Sequence, residues 1–122
     1  MGSSRNRKIN KVSIDANSPH HLSHRKNYYS QNGEDGVIDF LFKKLKINSG
    51  VLVEIGAWDG IHLSNTYRQF EKNKNLGGFL VESSQGRFRD LQLNFKNRDN
   101  VICHCAFVTP NNVNAFFSEL NA

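Results

Sequence analysis

Short apolar runs alternate along this chain with segments whose apolar residues recur at helical spacing. The apolar runs occupy residues 51–55, 79–82 and 101–108, lengths that are typical of buried strands. Between them, aromatic and aliphatic residues recur three to four positions apart within residues 67–70 and 88–95. Strands that alternate with helices in this way form a parallel sheet with right-handed crossover connections. The sequence therefore predicts an α/β fold in which helices flank a mostly parallel sheet.

Capping residues and charges set the limits of the predicted helices. A first helix is predicted over residues 32–46, because carboxylates precede its apolar-periodic segment and lysines follow it, as the helix dipole favours. Later helices are predicted to begin near residues 64–66 and at residues 83–84, where hydroxyl side chains can cap them. A turn is predicted at residues 109–112, followed by a short fourth strand over residues 113–117. On this interpretation the chain holds a partial sheet that stops after its third or fourth strand.

The net positive charge of the chain lies near its N-terminus. Residues 1–27 contain six basic residues against one acidic residue, whereas residues 28–122 contain ten of each. The N-terminal stretch is also rich in Ser, Asn and His, a composition typical of disorder. We therefore predict a disordered basic tail over residues 1–27 and a folded domain over residues 28–122. The tail either aids solubility or contacts nucleic acid weakly. Its histidines (His20, His21 and His24) resemble a metal site only loosely.

Length and composition bound the class of protein. The 122 residues, 38% of them hydrophobic, are typical of a single domain with a packed core. No apolar run approaches the ~20 residues of a membrane span, and charged residues stand where a secretory segment needs an apolar stretch. Cys103 and Cys105 lie in one apolar run, and we predict two buried thiols in a reducing compartment. The expectation is a cytoplasmic protein without a membrane partner or a bound metal.

Two of the predicted strands end in residues suited to holding a nucleoside. After the first strand comes a bend with glycines at Gly56 and Gly60, flanked by Glu54 and Asp59. Glycine lets the backbone turn tightly and approach a ligand, because no Cβ is in the way. The second strand ends in Glu82, whose carboxylate can accept two hydrogen bonds from a ribose diol. Because ligands bind beyond the carboxyl ends of parallel strands, we expect Glu82 and the bend to share a site.

The spacing of the glycines distinguishes between three cofactor classes. Counted from Gly56, Trp58 and Ile61 stand where a dinucleotide-binding motif has its second and third glycines. A P-loop requires a Gly-Lys-Ser/Thr sequence, which this chain lacks. A ligand with a ribose and no phosphate fits best. S-adenosylmethionine is such a ligand, and its sulfonium and ammonium groups would be attracted by the two acidic residues at the bend. The alternative is a bend that is only a tight strand-to-helix turn.

Four blocks of sequence follow one another in an order that resembles a known family. They occupy residues 29–36, 53–60, 63–66 and 78–82, and they read YSQNGEDG, VEIGAWDG, LSNT and GFLVE. Together they resemble the FkbM family of S-adenosylmethionine-dependent methyltransferases. The resemblance implies a Rossmann-like methyltransferase fold, with the bend against the methionine part of the cofactor and Glu82 on the ribose. It also implies methylation of a hydroxyl oxygen on a small molecule or a sugar.

The motifs and the resemblance together define an expected cofactor site. The resemblance implies that Glu34 and Asn65 line the cofactor end of the site. The alternative for Glu34 is a carboxylate that only stabilises the start of a helix, and the alternative for Asn65 is a residue near a helix cap. Trp58 either stacks on the ligand or packs in the core, and packing is the expectation. The expected cofactor-binding residues are Glu34, Glu54, Gly56, Ala57, Trp58, Asp59, Gly60, Asn65, Glu82 and Ser83.

The sequence does not identify the residues that would bind the methyl acceptor. In methyltransferases of this fold the acceptor pocket is built mainly after the fourth strand, so half of the sheet is expected to be absent. His62 and Asp59 are the nearest candidates for a base, and the sequence assigns that role to neither. Without this half, one strand of the sheet would have an unpaired apolar edge, and such edges tend to pair with other chains. Three explanations remain open: the sequence is a fragment, the protein forms a homo-oligomer through that edge, or it is a degenerate relative of the family. The competing functions are a non-catalytic cofactor-binding or protein-interaction module and a weak nucleic-acid binder.

Overall fold

The computed structural model describes residues 20–120 and places a three-stranded sheet among four α-helices. A short 3-10 helix, His20–His24, precedes the first of them. The other elements are, in chain order, α1 (Glu34–Lys44), β1 (Gly50–Ile55), α2 (Tyr67–Lys72), β2 (Leu76–Glu82), α3 (Gln85–Asn94), β3 (Val101–Cys105) and α4 (Val113–Leu120). All three strands are parallel, which confirms the predicted α/β architecture with flanking helices. None of the helices within residues 20–120 has the length and apolar character needed to cross a membrane.

The sheet has the strand order β1-β2-β3, with β2 at its centre. All seven residues of β2 are buried, because β1 and β3 flank the strand and helices lie against both faces of the sheet. The register sets Ile55 opposite Val81 and Glu82 opposite Cys105. The three strands therefore end close to the same level, and the loops that follow them start from one edge of the sheet.

β2 begins earlier than its apolar run predicts. The sequence places its start at residue 79, which is wrong, because Gly77 and Gly78 lie inside the strand. A Cβ on Gly78 would come within 2.6 Å of the Phe70 ring. Glycine at this position lets the ring pack directly on the strand backbone.

The hydrophobic core lies between one face of the sheet and the helices α2 and α3. The rings of Phe70 and Phe95 meet edge to face, with centroids 5.4 Å apart. Leu91 and Phe95 lie four positions apart and share one face of α3, as their spacing predicts. Ala57 follows β1 and is also part of the core, so the start of the loop after β1 is anchored. The buried cluster consists of Ala57, Phe70, Leu80, Leu91 and Phe95.

The segment predicted as a fourth strand is a helix. Val113, Phe116 and Phe117 recur at helical spacing, and this pattern outweighs the β propensity of the individual residues. α4 lies beside the second face of the sheet, where the Phe116 ring meets His104 edge to face at 5.3 Å between centroids. β3 is also shorter than predicted and ends at Cys105. The described sheet therefore stops at three strands.

The two cysteines of β3 are free thiols. Cys103 is half-buried against the core, and this burial raises the pKa of its thiol. Cys105 is exposed, so the prediction of two buried thiols is wrong for this residue. The reason is its place at the end of β3, which pairs on one side only in the described part of the sheet.

The residues before α1 pack on the start of that helix. The Gly36 N–H donates a hydrogen bond of 3.0 Å to the Lys26 carbonyl oxygen, and a Cβ on Gly36 would overlap the Lys26 backbone. The predicted disordered tail covers residues 1–27. Residues 1–19 of it lie outside the described residues, whereas residues 20–27 carry the 3-10 helix and these contacts.

A buried carboxylate joins α1 to α2. Asp39 is 3% exposed and accepts hydrogen bonds from Lys72 Nζ at 2.6 Å and from Gln69 Nε2 at 2.9 Å. Lys43 Nζ lies 3.3 Å from its other oxygen. Burial favours the neutral form, but the hydrogen bonds from these three residues outweigh it and lower the pKa of Asp39 from 3.8 to about 2. Asp39 therefore stabilises the fold as an anion.

The free energy of unfolding is expected to fall by about 2 kcal/mol between about pH 5 and about pH 2 because of Asp39. Above the unfolded pKa the carboxylate is ionised in both states and its contribution is complete. The contribution is lost as the pH falls through the folded pKa. Urea unfolding at the two pH values measures the loss in the wild type and in Asp39→Asn. We expect the loss to be smaller by about 2 kcal/mol in the variant, where only the other carboxylates, such as Asp59, still contribute. An unfolding free energy with the same pH dependence in both proteins contradicts the assignment. Asp90→Asn, at an exposed position of α3, is the control.

Candidate functional site

The chain segments that follow the three strands meet at the carboxyl edge of the sheet. A cavity of about 150 Å³ opens there, lined by Ile55, Gly56, Ser83, Ala106, Phe107 and Val108. Gly56 and Ser83 belong to the predicted site. Ala106, Phe107 and Val108 do not belong to it, because the sequence predicts them to be part of β3 and not of a loop. The carboxyl edge of the sheet, where the sequence predicts that a ligand binds, therefore contains a cavity.

Glu82 joins the loop after β1 to the loop after β2. Its side chain is 4% exposed, and its two oxygens accept backbone hydrogen bonds from different loops. Oε1 accepts from the Trp58 N–H at 2.7 Å, and Oε2 accepts from the Ser84 N–H at 2.8 Å. A carboxylate offers about four lone-pair sites, so both oxygens keep acceptor capacity. The structure thus brings Glu82 against the glycine bend (residues 56–60), as the sequence predicts.

The backbone at Gly56 faces open space. Its φ is +76°, and a Cβ built on it would meet nothing within 4 Å. The N–H groups of Gly56 and Ala57 both donate to the Val81 carbonyl oxygen, at 2.8 and 2.9 Å, which ties the bend to β2. Ala57 itself is buried in the core, so its methyl group faces away from a ligand at the edge. Gly56 is the residue of the bend that a ligand can approach closely.

Gly60, unlike Gly56, lies against the hydrophobic core. Its φ is +81°, but a Cβ there would overlap the Phe95 ring and lie 2.8 Å from Leu91 Cδ1. The glycine lets the end of the bend pack against α3. The two glycines of the motif therefore have different surroundings: Gly56 faces open space, and Gly60 packs against the core.

Glu54 holds the start of α2 against β1. Its Oε1 accepts a hydrogen bond from the Ser64 hydroxyl at 2.9 Å and one from the Thr66 hydroxyl at 2.5 Å. Ser64 is fully buried, and its Oγ in turn accepts the backbone N–H groups of Thr66 and Tyr67. Asn65, predicted to line the cofactor end, lies half-buried between these two hydroxyl residues. Glu54 therefore shapes this loop.

Asp59 closes a turn within its own loop. It is 8% exposed, and its Oδ1 accepts from the N–H groups of Ile61 at 2.9 Å and His62 at 2.8 Å. Its Oδ2 lies 2.5 Å from His62 Nδ1. Burial raises the pKa of Asp59, but these hydrogen bonds outweigh that effect and leave the pKa below its ordinary value. Asp59 is an anion at neutral pH.

Trp58 lies outside the buried core, so the expectation of core packing is wrong. Trp58 belongs neither to the buried cluster nor to the residues packed against it, and its φ is +57°. The half-buried indole stacks on the His62 ring, with centroids 5.2 Å apart, and the Arg87 guanidinium lies 4.7 Å from the indole centroid. Arg87 is not among the predicted site residues, because the first turn of α3 carries no motif that marks it.

The structure does not join Glu34 to the rest of the predicted site. Its Oε1 accepts the Asn32 N–H at 2.6 Å, close to the start of α1. α1 packs mainly against the 3-10 helix and α2, rather than against the carboxyl edge of the sheet. The hydrogen bonds among the described residues thus connect Glu82 with the glycine bend, and Glu54 with the loop around Asn65.

No family model and no curated protein matches this chain. The resemblance to the FkbM methyltransferases therefore stays a prediction. The geometry itself offers a carboxylate with spare acceptor capacity, an open glycine backbone and a cavity at one sheet edge. Such a set of groups can bind a polar ligand that carries hydroxyl groups and positive charge.

Proposed function

We propose that the chain binds S-adenosylmethionine at the carboxyl edge of its sheet and takes part in methylating a hydroxyl group of a small molecule or sugar. The position of Glu82 carries this proposal, because its carboxylate joins the glycine bend to the loop that precedes α3. The FkbM resemblance implies the same pairing of a strand-end carboxylate with a glycine bend. On this proposal the three strands are part of a Rossmann-like methyltransferase fold.

The shape of the edge fits part of this cofactor. A side chain at Gly56 would fill open space beside the cavity, so glycine keeps that space free for the methionine part. The cavity of about 150 Å³ is smaller than the ~300–1,000 Å³ typical of ligand pockets. We expect it to hold one part of the cofactor while the remainder lies over the exposed backbone at Gly56.

The charges at the edge favour a cationic ligand over a phosphate. Glu54, Asp59 and Glu82 come from β1, the bend and β2. They outnumber the one cation described beside the bend, Arg87, which lies over the Trp58 indole. Opposite charges a few ångströms apart attract more strongly at a partly buried site than in bulk water. A sulfonium and an ammonium group would be stabilised here, and a pyrophosphate would be repelled.

The protein contributes binding and orientation to the proposed reaction. When bound, S-adenosylmethionine supplies an electrophilic methyl group. Glu82 would hold the ribose hydroxyls through the acceptor capacity that its backbone bonds leave, and Gly56 would let the ligand reach the backbone. Holding donor and acceptor in line supplies most of the acceleration in a displacement of this kind.

Calorimetric titration with S-adenosylmethionine tests the proposal. The wild type should bind, and Gly56→Ala should weaken binding by about tenfold or more, which corresponds to about 1.4 kcal/mol. Gly50→Ala is the matched control: Gly50 also has positive φ and open space at its Cβ, but it lies at the opposite end of β1. We expect its affinity to equal that of the wild type. Absence of heat from folded wild type contradicts the proposal.

A second candidate function is a protein-interaction module, and the outer edge of β1 favours it. In the described sheet β1 pairs on one side only, and Val51 and Ile55 are 62% and 51% exposed. Exposed apolar edge strands pair readily with other chains. Transfer of a labelled methyl group from S-adenosylmethionine to any small molecule of a cell extract excludes a purely non-catalytic module.

A further inference from the structure

The loop that contains the glycine bend also holds a hydrogen-bonded aspartate–histidine pair. Nδ1 of His62 lies 2.5 Å from Oδ2 of Asp59. The Asp59 side chain is 12% exposed, whereas the His62 side chain is 68% exposed. A carboxylate beside Nδ1 favours the tautomer in which Nδ1 carries the proton and Nε2 carries a lone pair. The basic Nε2 of His62 therefore lies at the surface, while the Asp59 carboxylate that orients the ring is mostly buried.

Contacts on both members of the pair hold the imidazole in place. The second oxygen of Asp59 accepts two backbone N–H groups, including that of His62 itself, which fixes the orientation of the carboxylate. The Trp58 indole stacks on the imidazole at 25° between the ring planes, and Arg87 lies over the indole. Such preorganisation is what a proton-transfer group requires.

The backbone on either side of the pair adopts an unusual conformation. Trp58 and Leu63 both have φ of +57°, although neither is a glycine. Bulky residues rarely occupy this region, and such outliers concentrate at functional sites. Trp58 and Leu63 are two such outliers, and they lie directly before Asp59 and directly after His62 in the sequence.

Trp58 connects the pair to the proposed cofactor site. Its N–H donates to Glu82 Oε1, while its ring stacks on His62. The imidazole and the carboxylate proposed for the ribose are therefore positioned by the same residue. This connection places a proton acceptor in the loop that contains the glycine bend, beside the proposed cofactor site.

We propose that His62 accepts the proton of the hydroxyl group that is methylated, with Asp59 as its positioning residue; this inference rests on the function proposed above. The hydroxyl oxygen forms a bond to the methyl carbon while the carbon–sulfur bond breaks, and the electron pair of that bond stays on sulfur. The hydroxyl proton passes to Nε2 of His62 and then to solvent. The substrate class is a neutral alcohol, since an acceptor that is already anionic needs no base.

Nitrogen NMR of the full chain without cofactor tests the positioning by Asp59. We expect wild-type His62, when neutral, to carry its proton on Nδ1, and Asp59→Asn to lose this preference. His24 is an internal reference, because it is also exposed and stacks on an aromatic ring, Phe40, at 3.7 Å. A wild-type His62 with its proton on Nε2 overturns the assignment, whatever the affinity for S-adenosylmethionine.

The role of His62 is tested with methyl-tritiated S-adenosylmethionine and the small-molecule fraction of a cell extract. His62→Asn should bind the cofactor within about twofold of the wild type and transfer methyl at least about 100-fold more slowly. His24→Asn should keep the wild-type rate. Undiminished transfer by His62→Asn overturns the role of His62 and leaves the proposed function intact. Wild type that binds without transferring overturns the role of His62 and leaves cofactor binding intact. Wild type that does not bind overturns both.

Discussion

Gly60→Ala is expected to reduce the free energy of unfolding by at least about 3 kcal/mol. The left-handed backbone at Gly60 strains any side chain, and a Cβ there would overlap Phe95 and press on Leu91. These two residues are 4% and 0% exposed, so neither has free space to move into. Equilibrium unfolding in urea, followed by circular dichroism, measures the loss.

Gly56→Ala is the matched control for this prediction. Its φ of +76° imposes similar backbone strain, but no atom beyond its two chain neighbours lies within 4 Å of the added Cβ. We expect a loss of about 1–2 kcal/mol, so the difference between the two variants isolates the overlap with the core. Equal losses would mean that the core rearranges around position 60 and would contradict the prediction.

The location of the candidate site could be predicted from the sequence because strand direction determines it. Two short buried runs separated by a helical segment give parallel strands, and parallel strands end at the same edge. Glu82, as the last residue of β2, is thereby brought to the bend after β1. The order of the elements alone determines this position. The predicted position is therefore correct although the predicted start of β2 and the predicted end of β3 are wrong.

The partners of the individual carboxylates could not be predicted in this way. A carboxylate beside a turn bonds either to a ligand or to nearby N–H and O–H groups, and the path of the next few residues decides between them. In the structure Glu54 bonds to Ser64 and Thr66, while Asp59 bonds within its own turn and to His62. The same residue types would appear in the sequence in either case.

Asp35→Asn is expected to cost about 3 kcal/mol, although the two side chains have nearly the same shape. Asp35 is fully buried and accepts four hydrogen bonds of 2.7–3.2 Å. Oδ1 accepts from the Tyr28 N–H and the Ser30 hydroxyl, and Oδ2 accepts from the N–H groups of Tyr29 and Ser30. Three of the four partners are backbone N–H groups, which can only donate, so an amide nitrogen in place of either oxygen leaves at least one of them unsatisfied.

The effect of Asp35→Asn should be measurable both locally and globally. Residues 28–30 are tied to the start of α1 by this carboxylate, so their amide hydrogens should exchange with solvent faster in the variant, while urea unfolding reports the total loss. Glu34→Gln removes the neighbouring charge, which bonds to a single N–H, and should change stability by about 0.5 kcal/mol or less. Wild-type stability in Asp35→Asn would contradict the prediction and would mean that the packing of Lys26 on Gly36 holds this segment to α1.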